Sequence, residues 1–334
     1  MNKTITVTGC AGLLGSHISR YFLRENYTVV GIDDLSGGYK EFLPNNKNFV
    51  FYKYDLSKKN ITKYLYKLFK RYKPIACYHF AAYAAEGLSP FIRHFNYTNN
   101  ILSSVNIINQ CIQYDCKLIF TSSMAVYGAQ KPPFNESMAP SPTDPYGIAK
   151  FATELDIKVA NDQHNLRYTI IRPHNVIGIY QNIWDAYRNV VGIFIRQAIN
   201  NKPLTIYGDG TQTRAFSDIK SFLMPFGMLI DAFDQQTFNI GADKIFTINE
   251  LAKIVKSIAE YYNFNTEIIY LEPRHEVQHA YCDHTKAKSL LKFTDNTNLE
   301  NIVHEMFRWA KDQPYRETKQ MQYEISKNIY NYWK

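Results

Sequence analysis

Residues 3–23 restrict the fold more than any other part of the chain. Lys3-Thr4-Ile5-Thr6-Val7-Thr8 is apolar and β-branched, as a buried parallel strand is. Gly9-Cys10-Ala11-Gly12-Leu13-Leu14-Gly15 follows at once, and residues 16–23 carry apolar side chains at helical spacing. In a strand–turn–helix unit the first glycine allows a tight turn, the next lets backbone approach a pyrophosphate, and the last lets helix and strand pack closely. The helix N-terminus offers free N–H groups and a partial positive charge to phosphates. The spacing is G-x-x-G-x-x-G, not the commoner G-x-G-x-x-G, and a plain glycine-rich turn would read the same way.

The next strand, residues 27–32, narrows the reading because it ends in Asp33-Asp34. An acid 18 residues beyond Gly15 accepts hydrogen bonds from ribose hydroxyls and repels a 2′-phosphate. No arginine follows directly, so the pattern favours NAD over NADP. Asp55-Leu56 follow a third strand, residues 49–54, and suit an adenine contact; Asp55 reads equally well as a helix N-cap.

A second constellation lies further on. Residues 117–121 read as a buried strand, with Ser122 and Ser123 at its C-terminal end, where open α/β sheets place their ligands. Asp144-Pro145 then introduces a helix containing Tyr146 and Lys150. Residues four apart share a helix face, so phenol and ammonium point into one site. A lysine charge and the positive nicotinamide ring both favour phenolate and lower a tyrosine pKa from about 10, which makes the residue a general base. Tyr-x-x-x-Lys alone is weak in a chain with 26 Tyr, and Tyr54 with Lys58 repeats it. Only the Tyr146 pair follows the serine strand. Strands and helices alternate to about residue 172, which predicts a doubly wound parallel sheet.

Gly9-x-x-Gly12-x-x-Gly15, Asp33, His79-Phe80-Ala81-Ala82, Ser122-Ser123-Met124-Ala125-Val126-Tyr127-Gly128, Tyr146-x-x-x-Lys150 and Arg172-Pro173-x-Asn175-Val176 occur in that order. In these motifs the chain resembles the extended short-chain dehydrogenase/reductase family, and within it the NAD-dependent nucleotide-sugar epimerases and dehydratases, over roughly residues 3–310. The resemblance implies an α/β fold of two parts. A Rossmann-type doubly wound sheet would comprise residues 1–172 plus about 216–241, and a smaller C-terminal α/β substrate domain 173–215 plus 242–334. It implies Ser123, Tyr146 and Lys150 as catalytic residues, and NAD held by Gly9, Gly12, Leu13, Leu14, Gly15, Asp33, Asp34, Asp55, Leu56, Ala81, Ala82 and Asn100 together with Tyr146 and Lys150. It implies a nucleotide-sugar substrate, a UDP-sugar, touched by Tyr83, Glu86, Ser122, Ser123, Asn175 and Asn189, with Arg214 and the Arg274–Glu276 pair at the diphosphate and ribose. Arginine suits that task because its planar fork bonds phosphate oxygens in pairs. Arg274 and Glu276 read also as a surface ion pair.

Within that group, the dehydratases and decarboxylases keep an acid after the catalytic serine. This chain has Met124 and Ala125, and neither transfers a proton. The resemblance therefore implies 4-epimerisation through a 4-keto sugar, with a dehydratase, reductase or decarboxylase on a similar substrate as the rivals among enzymes; a net reductase would consume reduced nicotinamide. Alignment places Ala280 where the family limits the C2 substituent, so an N-acetyl group would be admitted. It also implies a homodimer joined through residues 98–114 and 146–163. A non-catalytic dinucleotide sensor on the same fold is the rival of a different class.

Composition limits the rest. The chain has 334 residues, enough to bury a core without disulfides or metal. Five cysteines without a Cys-x-x-Cys pair read as free buried thiols of a reducing compartment, and no zinc-ligand spacing is present. The first strand starts so early that no signal peptide is expected, and no apolar run has membrane-spanning length, so a cytoplasmic protein is expected. The net charge is +8, with Lys63, Lys67 and Lys70 on one predicted helix. A solvated lysine face accounts for this better than nucleic-acid binding, for which no module appears. Residues 219–233 and 248–262 are predicted helices, and the tail after Pro314 has no assigned role.

Overall fold

In the computed structural model, which describes residues 3–318 and 320–333, the apolar runs form one seven-stranded parallel sheet. From one edge its strands are Phe49–Lys53, Thr28–Asp33, Thr4–Thr8, Ala76–His79, Lys117–Thr121, Tyr168–Pro173 and Gln236–Ile240. Each neighbouring pair is parallel. The chain winds outward in one direction from Thr4–Thr8, then returns and winds outward in the other from Ala76–His79. The crevice at that reversal, beyond the C-terminal strand ends, is where this topology binds ligands.

Helices cover both faces, which is why the strands are apolar throughout rather than alternating. On one face Ile5, Val7, Phe22 and Tyr78 pack with Phe222, Phe226 and Phe238. On the other, Val30, Ile32, Leu118 and Phe120 pack with Leu65, Phe69, Ile107 and Ile157. A third core joins helices Val190–Ile199, Ile248–Tyr261 and Leu299–Lys311, through Phe194, Leu251, Val255, Met306 and Phe307. Helix Ile248–Tyr261 opens on a capping box, Thr247 with Glu250.

Two helices differ from expectation. The predicted helix over residues 219–233 is a 3-10 turn, Ile219–Phe222, and a short helix, Leu223–Met228. Pro225 has no N–H to give Ser221, so α geometry starts only just before it. The helical stretch expected at 98–114 begins five residues earlier, at Arg93, and passes through a π turn, Thr98–Leu102. All five cysteines are buried free thiols. Among the described residues no helix is long and apolar enough to cross a membrane.

His79 ends the central strand, Ala76–His79, between Thr4–Thr8 and Lys117–Thr121, and makes both of its polar contacts inside the protein. Its Nδ1 is 2.7 Å from Thr8 Oγ1, and its Nε2 is 2.9 Å from Ser104 Oγ. Burial, with the nearby Lys150 charge, lowers its pKa from 6.5 to about 3. Folding therefore favours the neutral ring. The stability this contributes is present above pH 6.5 and is lost as pH falls toward 3. Across that window the stability of His79→Gln is expected to depend less steeply on pH than that of the parent, as read by denaturation at each pH. Parallel pH profiles would show that His79 does not titrate on unfolding.

Candidate functional site

A cavity of about 470 Å³ opens at the sheet reversal. Its floor is the glycine turn. Gly9 has φ +67°, and a Cβ there would lie 2.8 Å from the Ala81 nitrogen. A Cβ at Gly15 would lie 2.1 Å from the Gly9 carbonyl oxygen. Gly12 differs: a Cβ would meet only the Gly9 carbonyl, at 3.3 Å, and otherwise open space. Helix Leu13–Arg24 begins there with no side-chain cap and no acid in its first turn, so its N–H end is left for an anion.

Asp33 closes the next side. Its Oδ2 accepts the Ala11 N–H at 2.9 Å and its Oδ1 the Leu35 N–H at 2.8 Å, which aims the carboxylate at the turn. Burial raises its pKa against the pull of those two N–H groups. Asp34, Leu13, Leu14, Asp55, Leu56, Ala81 and Ala82 continue the wall. Asp55 folds onto Ser57, accepting from its N–H at 2.9 Å and its hydroxyl at 2.6 Å. The N-cap position of the following helix, Ile61–Tyr72, is Asn60, so Asp55 is not that helix's cap. The crowding at Gly9 and Gly15, the space at Gly12, the bare helix end and the anchored acid fit a dinucleotide's pyrophosphate and ribose. Asn100 is an exception to the expected cofactor set. It does not reach the cavity, because its amide is spent on the Tyr83 backbone, at 2.8 and 3.1 Å, and on Asn96.

The serine strand and the tyrosine helix supply the reactive end. The Asp144 carboxylate caps helix Pro145–His164 by accepting the Gly147 N–H at 2.9 Å, and Pro145 takes the first turn. Ser122, Ser123, Tyr146 and Lys150 all line the cavity. Lys150 Nζ donates to the Thr121 carbonyl at 2.7 Å, and lies 5.0 Å from the Phe120 ring centre and 5.9 Å from that of Tyr146. The expected lowering of the tyrosine pKa by this lysine is not what the protein's own groups produce. Burial first, and the Glu86 charge next, push the Tyr146 phenol up, while Ser123 works the other way. Burial draws Lys150 down to about 7, which weakens its charge near neutrality. Protein groups alone thus keep the phenol protonated.

The helix carrying this pair is braced from behind. Glu154 accepts from Arg172 Nε at 2.9 Å and from Nη2 at 2.6 Å. Arg172 Nη1 donates to Tyr127 Oη at 2.8 Å, and Tyr127 donates to Asn239 Oδ1 at 2.9 Å. One buried network joins the tyrosine helix to strands Tyr168–Pro173 and Gln236–Ile240.

The opposite end of the cavity is cationic. Glu276 Oε2 lies 3.3 Å from Arg214 Nη2 and 3.2 Å from Arg274 Nη2, so one carboxylate orients two guanidinium groups. The Arg274–Glu276 pair lines the cavity instead of lying on an outer surface. Tyr83, Glu86, Asn175 and Asn189 line it too. Asn189 caps helix Val190–Ile199, accepting the Val191 N–H at 3.1 Å, and donates to the Val176 carbonyl at 3.1 Å. Ala280 does not line the cavity. It is buried in strand His279–Ala280, in an apolar cluster with Met124, Tyr127 and Phe134, so the expectation that its size limits the sugar has no support from its position.

The sequence matches the NAD dependent epimerase/dehydratase family over residues 5–241. The chain belongs to that family. Membership makes the protein an NAD-dependent enzyme on a Rossmann-type fold. A UDP-glucuronate 4-epimerase of Thermodesulfobacterium geofontis is 27% identical, over 92% of this chain and 95% of its own. Two solved structures are similar throughout. UDP-glucose 4-epimerase of Thermotoga maritima with UDP-glucose has a TM-score of 0.85 at 29% identity, over 92% of this chain and 98% of that one. UDP-N-acetylglucosamine 4-epimerase of Methanobrevibacter ruminantium with UDP-N-acetylmuramic acid has 0.83 at 30%, with the same coverage.

This family member also builds its site from residues that carry no local signal. Arg188 holds Asp185 at 2.9 Å, lies over the Tyr83 ring at 4.8 Å, and approaches Gly37 so closely that a Cβ there would be 2.8 Å from its Nη2. The tail beyond Pro314 straps the rim. Glu324 accepts the N–H groups of His94 and Phe95, both at 2.7 Å. The Tyr330 hydroxyl accepts the His275 N–H at 3.0 Å. Tyr332 stacks on Tyr207 at 4.3 Å, the ring that also carries Arg274 at 4.7 Å. Ending the chain at Pro314 is expected to raise KM for the nucleotide sugar about 10- to 100-fold, because Arg274 loses its backing. NAD content should be unchanged. Unaltered steady-state kinetics would show that the strap does not hold the arginine.

Proposed function

We propose that this enzyme interconverts the C4 epimers of a UDP-hexose. One observation carries the reading. Ser123, Tyr146 and Lys150 occupy one end of a cavity whose other end holds Arg214 and Arg274, and Met124 and Ala125 follow the serine where a dehydratase would need an acid. The similar proteins are named as 4-epimerases of UDP-glucose, UDP-glucuronate and UDP-N-acetylglucosamine. In this reading residues 1–172 and about 216–241 serve the cofactor, and 173–215 with 242–334 serve the substrate.

NAD, bound along the glycine turn and Asp33, supplies reversible two-electron chemistry at C4 and ends each cycle unchanged. The chain's own residues do the rest. Arg214 and Arg274 hold the diphosphate. Tyr146 takes the 4-hydroxyl proton, with Ser123 bonding the same oxygen, and Lys150 supports the phenolate. The 4-keto sugar then turns about its link to the anchored diphosphate, and Tyr146 returns the proton on the other face.

A second reading rests on Glu86, a cavity carboxyl that could move a proton in a dehydration. Incubation with UDP-glucose or UDP-N-acetylglucosamine and separation of products distinguishes them. Conversion to the C4 epimer without net reduced nicotinamide supports the epimerase. A 4-keto-6-deoxy product supports the dehydratase.

We also propose a homodimer through the tyrosine helix. Ile148, Leu155 and Val159 recur on one face of it and are 41, 47 and 57% exposed, and Leu102 on the neighbouring helix is 53% exposed. Such a stripe favours a self-complementary two-fold contact. Light scattering at the mass of one chain would overturn this.

A further inference from the structure

The loop over residues 84–89 carries a carboxylate that the proposed chemistry does not use. Glu86 lines the cavity, and among the described residues no hydrogen bond or ion pair engages its side-chain oxygens. The loop is held at its Ser89 end. Ser89 Oγ lies 2.8 Å from the Glu86 carbonyl oxygen and 3.4 Å from Asp144 Oδ1, and it accepts the Tyr146 N–H at 3.2 Å. Next to Glu86, a Cβ on Gly87 would lie 4.0 Å from Arg274 Nη1 and 3.9 Å from Trp333. Glu86 therefore stands between the tyrosine and the diphosphate arginine. A hexose that offers its 4-hydroxyl to one and its diphosphate to the other lies along this loop, in the cavity that Glu86 lines.

Each cation around it has a partner within the protein. Arg214 and Arg274 share Glu276, Arg188 holds Asp185, and Lys150 is bonded to the Thr121 carbonyl. Glu86 is exposed to the cavity, within a surround of packed protein. That enclosure, then Asp144, raises its carboxyl to about 7, against the pull of Arg214 and Arg274. Such a group both donates to and accepts from sugar hydroxyls at neutral pH. A second carboxylate beside it would be repelled.

We infer that Glu86 selects the sugar, hydrogen-bonding an uncharged hexose and rejecting one that carries a carboxylate, so that the substrates are nucleotide-linked neutral hexoses and not uronates. This rests on the epimerase reading for where the sugar lies. The inference separates two substrate classes, since the similar proteins include enzymes named for both neutral and uronate sugars.

The test is calorimetric titration of the NAD-loaded protein with UDP-glucose, UDP-N-acetylglucosamine and UDP-glucuronate, for the parent, Glu86→Gln and Glu86→Ala. The parent should bind its better neutral sugar at least about tenfold more tightly than the uronate. Both variants should shrink that ratio to about threefold or less, chiefly by binding the uronate better. A parent that binds UDP-glucuronate as tightly as the neutral sugars overturns the inference, and so does a ratio that survives both substitutions. The binding readout does not depend on turnover. If the ratio behaves as expected but no epimer forms, the epimerase reading falls and the role of Glu86 stands. If none of the three sugars binds, both fall.

Discussion

Replacing Tyr146 with phenylalanine lowers kcat about 10²- to 10⁴-fold, the usual share of a positioned acid–base group. Only Oη is removed. The ring is 6% exposed, so its packing should hold the tyrosine helix in place. NAD retention and nucleotide-sugar binding should survive, because the glycine turn, Asp33 and the two arginines are untouched. The energetics make the phenol a demanding base. Burial and Glu86 both oppose the phenolate, and Lys150 at 5.9 Å carries a charge weakened by its own burial. A base in that setting works only when bound ligands add favourable charge, which ties proton transfer to an occupied site. A kcat within tenfold of the parent would show that another group takes the proton. Full retention of a ligand response with no turnover in either protein would favour the sensor reading.

Glu154→Ala has the largest expected effect on stability, a loss of about 3–5 kcal/mol. The Arg172 and Glu154 side chains are only 4 and 0% exposed. Glu154 and Tyr127 hold the guanidinium charged, pushing its pKa up despite burial. Removing the acid leaves a charge with neither water nor a counter-ion. The damage should spread to activity, since Glu154 is one turn beyond Lys150 on the same helix. Glu154→Gln keeps one acceptor and should cost less. Denaturant titration reads the difference as a fall in midpoint at unchanged slope. A loss below about 1 kcal/mol would mean that water or a neighbouring group replaces the acid, and that the brace is not what positions the helix.

Much of the fold was legible because its signals are local. The glycine spacing, the β-branched runs and the Tyr–Lys pair one helical turn apart each lie within a few residues, and the structure brings them to one cavity. The helix over 219–233 was misjudged because its apolar spacing hid Pro225, whose missing N–H delays the α geometry. Asn100 rests on the family resemblance and Ala280 on alignment, and both fix a position along the chain but not which way a side chain turns. One faces the Tyr83 backbone and the other an apolar cluster. Arg188 and the strap could not be read in advance, because they reach the site only when distant segments fold across it. The tyrosine's raised pKa is likewise a property of burial, which motif spacing does not report.

The most direct test of the central claim is the fate of deuterium placed at C4 of UDP-glucose during turnover in ordinary water. The account predicts that deuterium stays on C4 in the epimeric product, because the hydrogen leaves and returns to the same carbon. Deuterium found at C6, or lost to solvent, would contradict it and assign the enzyme to a different reaction.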